Sequence, residues 1–453
     1  MSTESKQRDM TSGVIWKGML NFFFPICAGT LFQQLYNAVD AIIVGKYVGT
    51  AALAAVGGSP AVIVNLVISI FVSLTTGSSV IVSQLFGAGN HKELEKATGT
   101  AMAFFAVLGL GLTVILEPLA YQLLDVLKTP YDIREDAAEY LHIFFSGMVL
   151  LMLVNAQSGI LRAVGDSRRP FLFMMAGCVV NIALDLLFVI RFQMGVAGVA
   201  WATVISIGIN MALTTAALLR TGEPYRIRPR SVRIDRSMLK NMMRLGIPSA
   251  LSGAMYGVSN AILQGTVNAL GTMVVACWAL TGKVDGVYYS CSNAAGAALT
   301  TFSGQNYGAK KTGRVMDGVR TAFRLFEPMT VLICAAILAL SGYLLPLFTD
   351  DPEVIRVTQE ILWYFVPFYF LWTIIELLSA VLRGCGVVRG PVVISGLGIC
   401  LFRVIWVMTV CRIRLTLFTV SIVYAVSWAV TSAAMILYYR DWKKKLINGN
   451  IVE

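Results

Sequence analysis

Three residues in the first half of this 453-residue chain could do charge chemistry in an apolar setting: Asp40, Asn181 and Asp185. Asp40 sits in LYNAVDAIIVG, with no Lys or Arg between Lys17 and Lys46. An ionised carboxylate at the centre of a bilayer costs about 2.5–3.5 kcal/mol on insertion scales. Such a group must face a cavity, find a partner or carry a proton, and a carboxyl removed from water favours its neutral form. Gln33, Tyr36 and Asp40 are spaced by three and four and share one helix face; Asn181 and Asp185, four apart, share another. Two carboxylates with amide oxygens could bind Na⁺, or hold one proton between them, because close like charges disfavour joint ionisation. Asn155 and Thr203, in neighbouring apolar stretches, add an amide and a hydroxyl. A hydrogen-bond network that only holds helices together would use the same residue types.

The elements that must position these residues are membrane helices. The chain is 57% hydrophobic and 13% charged, with a mean hydropathy of +0.73, against about 25% charged residues in soluble proteins. Twelve apolar stretches are long enough to span: 14–45, 51–85, 95–116, 136–162, 170–191, 196–219, 239–268, 272–304, 316–346, 356–382, 391–411 and 416–439. They are continuous rather than alternating, which argues against a barrel. The even connections are basic, with eight Lys and Arg between Arg220 and Arg244, whereas Asp125 to Asp136 and Asp350 to Glu353 are acidic. That asymmetry predicts cytoplasmic termini in a multi-pass cell (inner) membrane protein. It also accounts for the net charge of +11 without nucleic acid; an anionic-lipid surface in the Arg220–Arg244 loop is a lesser reading. The polar N-terminus with Glu4 and Asp9 has no cleavage site, so no removable signal peptide is expected. Eight scattered cysteines without CxxC and two distant histidines give no metal motif.

The halves repeat. Leu161 to Pro170 reads LRAVGDSRRP and Leu382 to Pro391 reads LRGCGVVRGP, 221 residues on, with five identities. Six spans lie on each side of the polar stretch 221–236, so the repeat is parallel, related by an axis along the membrane normal. The expected organisation is a cytoplasmic N-terminus (1–13), an N-lobe (14–220), a basic linker (221–236), a C-lobe (237–440) and a cytoplasmic tail (441–453), with substrate between the lobes. In the second half Phe402 and Trp406 stand where Asn181 and Asp185 stand in the first. Its intramembrane charges are read as Lys283, Asp285, Glu376 and Arg403, two of each sign, which suggests internal pairing. The arginines of the repeated segments read as orientation signals and loop anchors. Pro25 and Pro248 occupy matching places in the first span of each half and are expected to kink it; Pro25 is a candidate hinge.

The sequence resembles the multidrug and toxic compound extrusion family along its whole length. The resemblance rests on QQLYNAVDAIIVGKYVGTAALAAVG, SQLFGAGNHKELEKA, LRAVGDSRRP, NIALDLLFV, GVAGVAWATVIS, TTFSGQNYGAKK and LRGCGVVRGP, in that order. The Asp40 and Asn181/Asp185 pieces are similar to the prokaryotic branch that contains the DNA-damage-inducible transporters. The resemblance implies an all-α membrane fold of two six-helix bundles and export driven by H⁺ or Na⁺ entry. It further implies an N-lobe cation site at the positions of Asp40, Asn181, Asp185 and Thr203, with Asn155, Tyr36 and Gln33 nearby. The expected function is a monomeric cation-coupled antiporter, H⁺ ahead of Na⁺, that moves an amphipathic, cationic small molecule without a cofactor. A lipid-linked sugar flippase of the related superfamily is the first rival. An integral-membrane enzyme is the second, but no nucleophile–His–acid set supports it.

Overall fold

The computed structural model describes residues 9–448. The expectations for residues 1–8 and 449–453, which cover most of the polar N-terminus and the end of the tail, lie outside the described residues. Among the described residues there is no strand.

Among the described residues twelve long helical elements succeed one another, with a short helix, Ala120–Val126, between the third and fourth: α1 (Ile15–Val48), α2 (Thr50–Gly87), α3 (His91–Leu116), α4 (Tyr131–Ser146 and Met148–Ala163), α5 (Arg168–Arg191), α6 (Gly195–Arg220), α7 (Arg236–Asn268), α8 (Thr272–Gly308), α9 (Thr312–Leu347), α10 (Pro352–Gly384), α11 (Arg389–Ile413) and α12 (Leu417–Ile447). Nine of these are long and apolar enough to cross a bilayer, and α4 makes a tenth with its two parts bent by 49°. Helices α7 and α8, at 33 and 37 residues, have the length but carry more polar side chains. The twelve stretches read from the sequence all correspond to helices. The largest shift is at α12, which continues from the expected 439 to Ile447 because its last turns carry charge without breaking the helix.

The duplicated decapeptides form the same turn twice. Gly165 and Gly386 take φ of 90° and 85°, a conformation that favours glycine. Asp166 N donates to Leu161 O at 2.9 Å and Val387 N to Leu382 O at 2.8 Å. This closes the six-to-one hydrogen bond that ends a helix at a left-handed glycine.

Two compact units emerge from the packing. Unit 1 contains Phe24–Ala250; unit 2 contains Met10–Phe23 and the chain from Leu251 onward. The changeovers fall beside Pro25 and Pro248, so the beginning of α1 groups with second-half helices and the beginning of α7 with first-half ones. In unit 2, Asn306 Nδ2 donates to Met10 O at 3.1 Å, Arg314 donates to Ser12 O at 2.7 Å, and the ring of Phe23 lies 5.2 Å from that of Phe326. In unit 1, Gly77 lets α2 approach α7 closely; a Cβ there would stand 2.1 Å from Met242 O. Between lipid-solvated helices, close packing of this kind is the main source of association, since lipid is as apolar as the helix surfaces.

The buried core of unit 1 runs along α3 and α4, with Leu94, Ala101, Phe105, Phe145, Met152 and Ile160. The core of unit 2 is aromatic. Tyr288 and Tyr369 stack at 3.9 Å between centroids, and Trp428 packs 5.7 Å from Tyr369.

Candidate functional site

Asp40 lies near the end of α1 and Asp185 near the end of α5, and in both helices the next turn is π-helical. The π segments are Val44–Val48 and Leu186–Arg191, and they pack against each other. A π turn shifts the register of the residues after it and is common at functional sites. The two carboxyl groups come within hydrogen-bonding reach of one another. Asp185 is 0% exposed. Both of its oxygens and Oδ1 of Asp40 are buried without a hydrogen-bond partner, and neither side chain is ion-paired among the described residues.

Asn181 stands one turn before Asp185, 1% exposed, with both its amide oxygen and nitrogen unsatisfied. An unpaired buried amide costs about 1–3 kcal/mol, so this corner carries a considerable unmet demand for a polar partner. Tyr36, one turn before Asp40, approaches both carboxyls. Two groups absent from the sequence-based site lie within electrostatic range: the phenol of Tyr140 on α4, of both carboxyls, and the thiol of Cys178 on α5, of Asp40. Aromatic and cysteine side chains are ordinary in apolar helices, so nothing in the single sequence marks them.

The remaining expected members are placed differently. Gln33 shares the Asp40 face by spacing but is exposed and makes no hydrogen bond among the described residues. Asn155 turns its amide back onto Leu151 O of its own helix at 2.8 Å. Thr203 is half-buried on α6; its carbonyl accepts from Ser206 at 2.8 Å, and no hydrogen bond joins its hydroxyl to the carboxyls. Pro25 lies inside α1, which continues through it.

Unit 2 corrects the expected pairing of Lys283, Asp285, Glu376 and Arg403. None of the four pairs with another. Lys283 is exposed and without an ion pair among the described residues. Asp285 accepts a hydrogen bond from the Tyr369 hydroxyl. Arg403 stacks 4.1 Å over the ring of Tyr424 and donates to Ser427 Oγ at 3.2 Å. Glu376 is taken by Arg383 at 3.0 Å, so this arginine of the repeated segment is an ion-pair partner rather than a loop anchor. Gly296 makes room for that pair, since a Cβ there would fall 2.1 Å from Glu376 Oε1. The places matching Asn181 and Asp185 hold two aromatic rings, Phe402 and Trp406, tilted at 31° with centroids 5.9 Å apart, and Trp406 Nε1 donates to Thr419 O. One acid escaped the sequence reading: Glu327 on α9, whose Oε1 is buried and unpartnered. No cluster of three His, Cys, Asp or Glu residues that could hold a metal occurs among the described residues.

Comparisons with known proteins agree with this architecture. A family model described as MatE matches residues 25–187 and 248–409. The match thus comes in two copies, one beginning at Pro25 and the other at Pro248. The chain is 27% identical over 442 residues to a probable multidrug resistance protein, YoeA, of Bacillus subtilis, covering 96% of this chain and 95% of that one. It is 21% identical over 434 residues to the multidrug export protein MepA of Staphylococcus aureus, covering 94% of each. A solved MOP-superfamily transporter from Pyrococcus furiosus shares the fold with a TM-score of 0.89 at 23% identity, over 99% of each chain.

Proposed function

The chain belongs to the MatE family of multidrug efflux transporters, and from that premise we propose that it exports an amphipathic, cationic small molecule in exchange for H⁺. The observation that carries the coupling is the pair Asp40, half-buried, and Asp185, buried, with three of their four oxygens buried and unpartnered and no basic neighbour in ion-pair contact among the described residues. Two ionised carboxylates at that separation repel strongly in a low-dielectric surrounding, and a shared proton or a bound cation relieves the repulsion. Loading the pair from outside and emptying it inward would alternate the charge of unit 1 once per cycle. If substrate export and cation entry require opposite states of the same pair, the exchange is obligatory. Asn181 favours Na⁺ as a second reading, because its unsatisfied amide oxygen is a ready ligand beside two carboxylates.

The transporter is proposed to work as a monomer in the cell membrane, with both termini cytoplasmic and without a cofactor. Transport in proteoliposomes under separately imposed pH and Na⁺ gradients tests the coupling. Wild-type protein should respond to the pH gradient and Asp185→Asn should not. Accumulation driven by Na⁺ alone would transfer the role to Na⁺, and full gradient-driven export by Asp185→Asn would remove the pair from the mechanism.

A further inference from the structure

The connection between α6 and α7 is folded onto unit 1. Tyr225 and Ile227 are buried, and Ile227 N donates to Leu218 O at 3.1 Å. Ser231 Oγ donates to Glu95, Thr100 Oγ1 donates to Arg233 O at 3.3 Å, and Asp235 N returns a bond to Thr100 Oγ1 at 3.2 Å. Gly99 admits the segment of chain above it; a Cβ there would lie 1.9 Å from Ser231 O. The outward side chains are therefore held at fixed places over the first turns of α3, between the end of α6 and the start of α7.

Those side chains are cationic and apolar together. Arg226, Arg230, Arg233, Arg236, Lys240 and Arg244 are exposed, and among the described residues none of them is ion-paired. The neighbouring acids are engaged: Glu95 by Arg228 at 3.3 Å and by Ser231, Asp235 by Met238 N at 2.9 Å, and Glu93 by Lys96 at 2.8 Å. Interleaved with the arginines, Val232 is 39% and Ile234 43% exposed. A connection that needed only charge to fix orientation would have no use for two exposed β-branched side chains among its arginines.

We propose that this surface docks on anionic phospholipid headgroups of the adjoining leaflet, phosphatidylglycerol in chemical class. The arginines take the phosphates, and Val232 and Ile234 enter the interfacial layer. Charge complementarity selects this occupant, and the position between two membrane-crossing helices puts the surface at headgroup level. Assignment to the cytoplasmic leaflet rests on the orientation proposed above.

The test uses the full-length protein reconstituted in bilayers, with spin-labelled phosphatidylglycerol and phosphatidylcholine compared by electron paramagnetic resonance. Wild type should prefer the anionic lipid, and the preference should fall as salt is raised. The variant R230Q/R233Q/R236Q should lose about fivefold or more of that preference; V232S/I234S should lose a smaller part, and R412Q/R414Q, at another connection, should keep it. A triple variant with the wild-type preference overturns the proposal. So does displacement of the lipid by inorganic phosphate at an ionic strength where chloride does not displace it, which would make this a site for soluble phosphate. A Ser237→Cys reporter reads sidedness separately: labelling only from the outer face overturns the orientation, and with it the leaflet assignment.

Discussion

Asp40 and Asp185 turn their carboxyl groups toward each other from the ends of two different helices, each just ahead of a π-helical turn. Neither has an ion-pair partner among the described residues, and the amide of Asn181 beside them is unsatisfied. Most buried polar groups in folded proteins are paired, so a concentration of unpaired ones marks a place that a mobile ion could complete.

A pair that works by sharing one charge should behave as one unit under mutation. Asp40→Asn and Asp185→Asn are each expected to lower gradient-driven uptake by about tenfold or more, and the double variant should be little worse than either. Uptake rates in proteoliposomes under a fixed pH gradient measure this. Independent, multiplicative losses would show that the two carboxyls act separately.

The Glu376–Arg383 pair should matter for stability rather than for coupling. Its partners are 20% and 28% exposed, so solvent softens the cost of breaking it. Arg383→Gln is expected to destabilise by about 1–3 kcal/mol, with Glu376→Gln in the same chain restoring much of the loss. Thermal unfolding of the detergent-solubilised protein checks this. A double variant as unstable as the sum of the singles would deny the pairing.

Thr100 is the buried hydroxyl that fastens the connection between α6 and α7. Thr100→Val would leave Arg233 O and Asp235 N without their partner, a loss of about 1–3 kcal/mol. Tryptic cleavage within the arginine-rich connection should become faster while transport continues. Unchanged cleavage would show that other contacts suffice to hold the segment.

Gly77 should tolerate no side chain. A methyl there would meet Met242 O at 2.1 Å and Gly246 N at 2.6 Å, and both are backbone atoms that cannot swing aside. Gly77→Ala is expected to cost about 1–3 kcal/mol or more and to lower the yield of folded protein. Gly18→Ala, with nothing within 4 Å of its new carbon, should be neutral. Equal yields for the two would mean that α2 and α7 can separate without loss.

The sequence by itself determined the class and the repeat. Apolar runs of about 20 residues in a bilayer have one solution, the helix, because every backbone polar group must be satisfied within the segment. The decapeptides place Gly165 and Gly386 at equivalent turns, and both glycines adopt the left-handed conformation. Asp40 and Asp185 were legible because an acid stands out in an apolar run whatever surrounds it. Glu327, inside the apolar stretch 316–346, stands out in the sequence for the same reason.

Tertiary structure decided the partners. Helical spacing puts Gln33 and Asp40 on one face, but only packing leaves Gln33 exposed and brings Tyr140 and Cys178 within electrostatic range of Asp40. Counting two charges of each sign suggested pairs in the second half. The structure instead gives Glu376 to Arg383, Arg403 to an aromatic ring and Asp285 to a phenol. Charge balance along a sequence carries no distance, and in a medium of low dielectric an ion pair depends on distance and desolvation before it depends on sign.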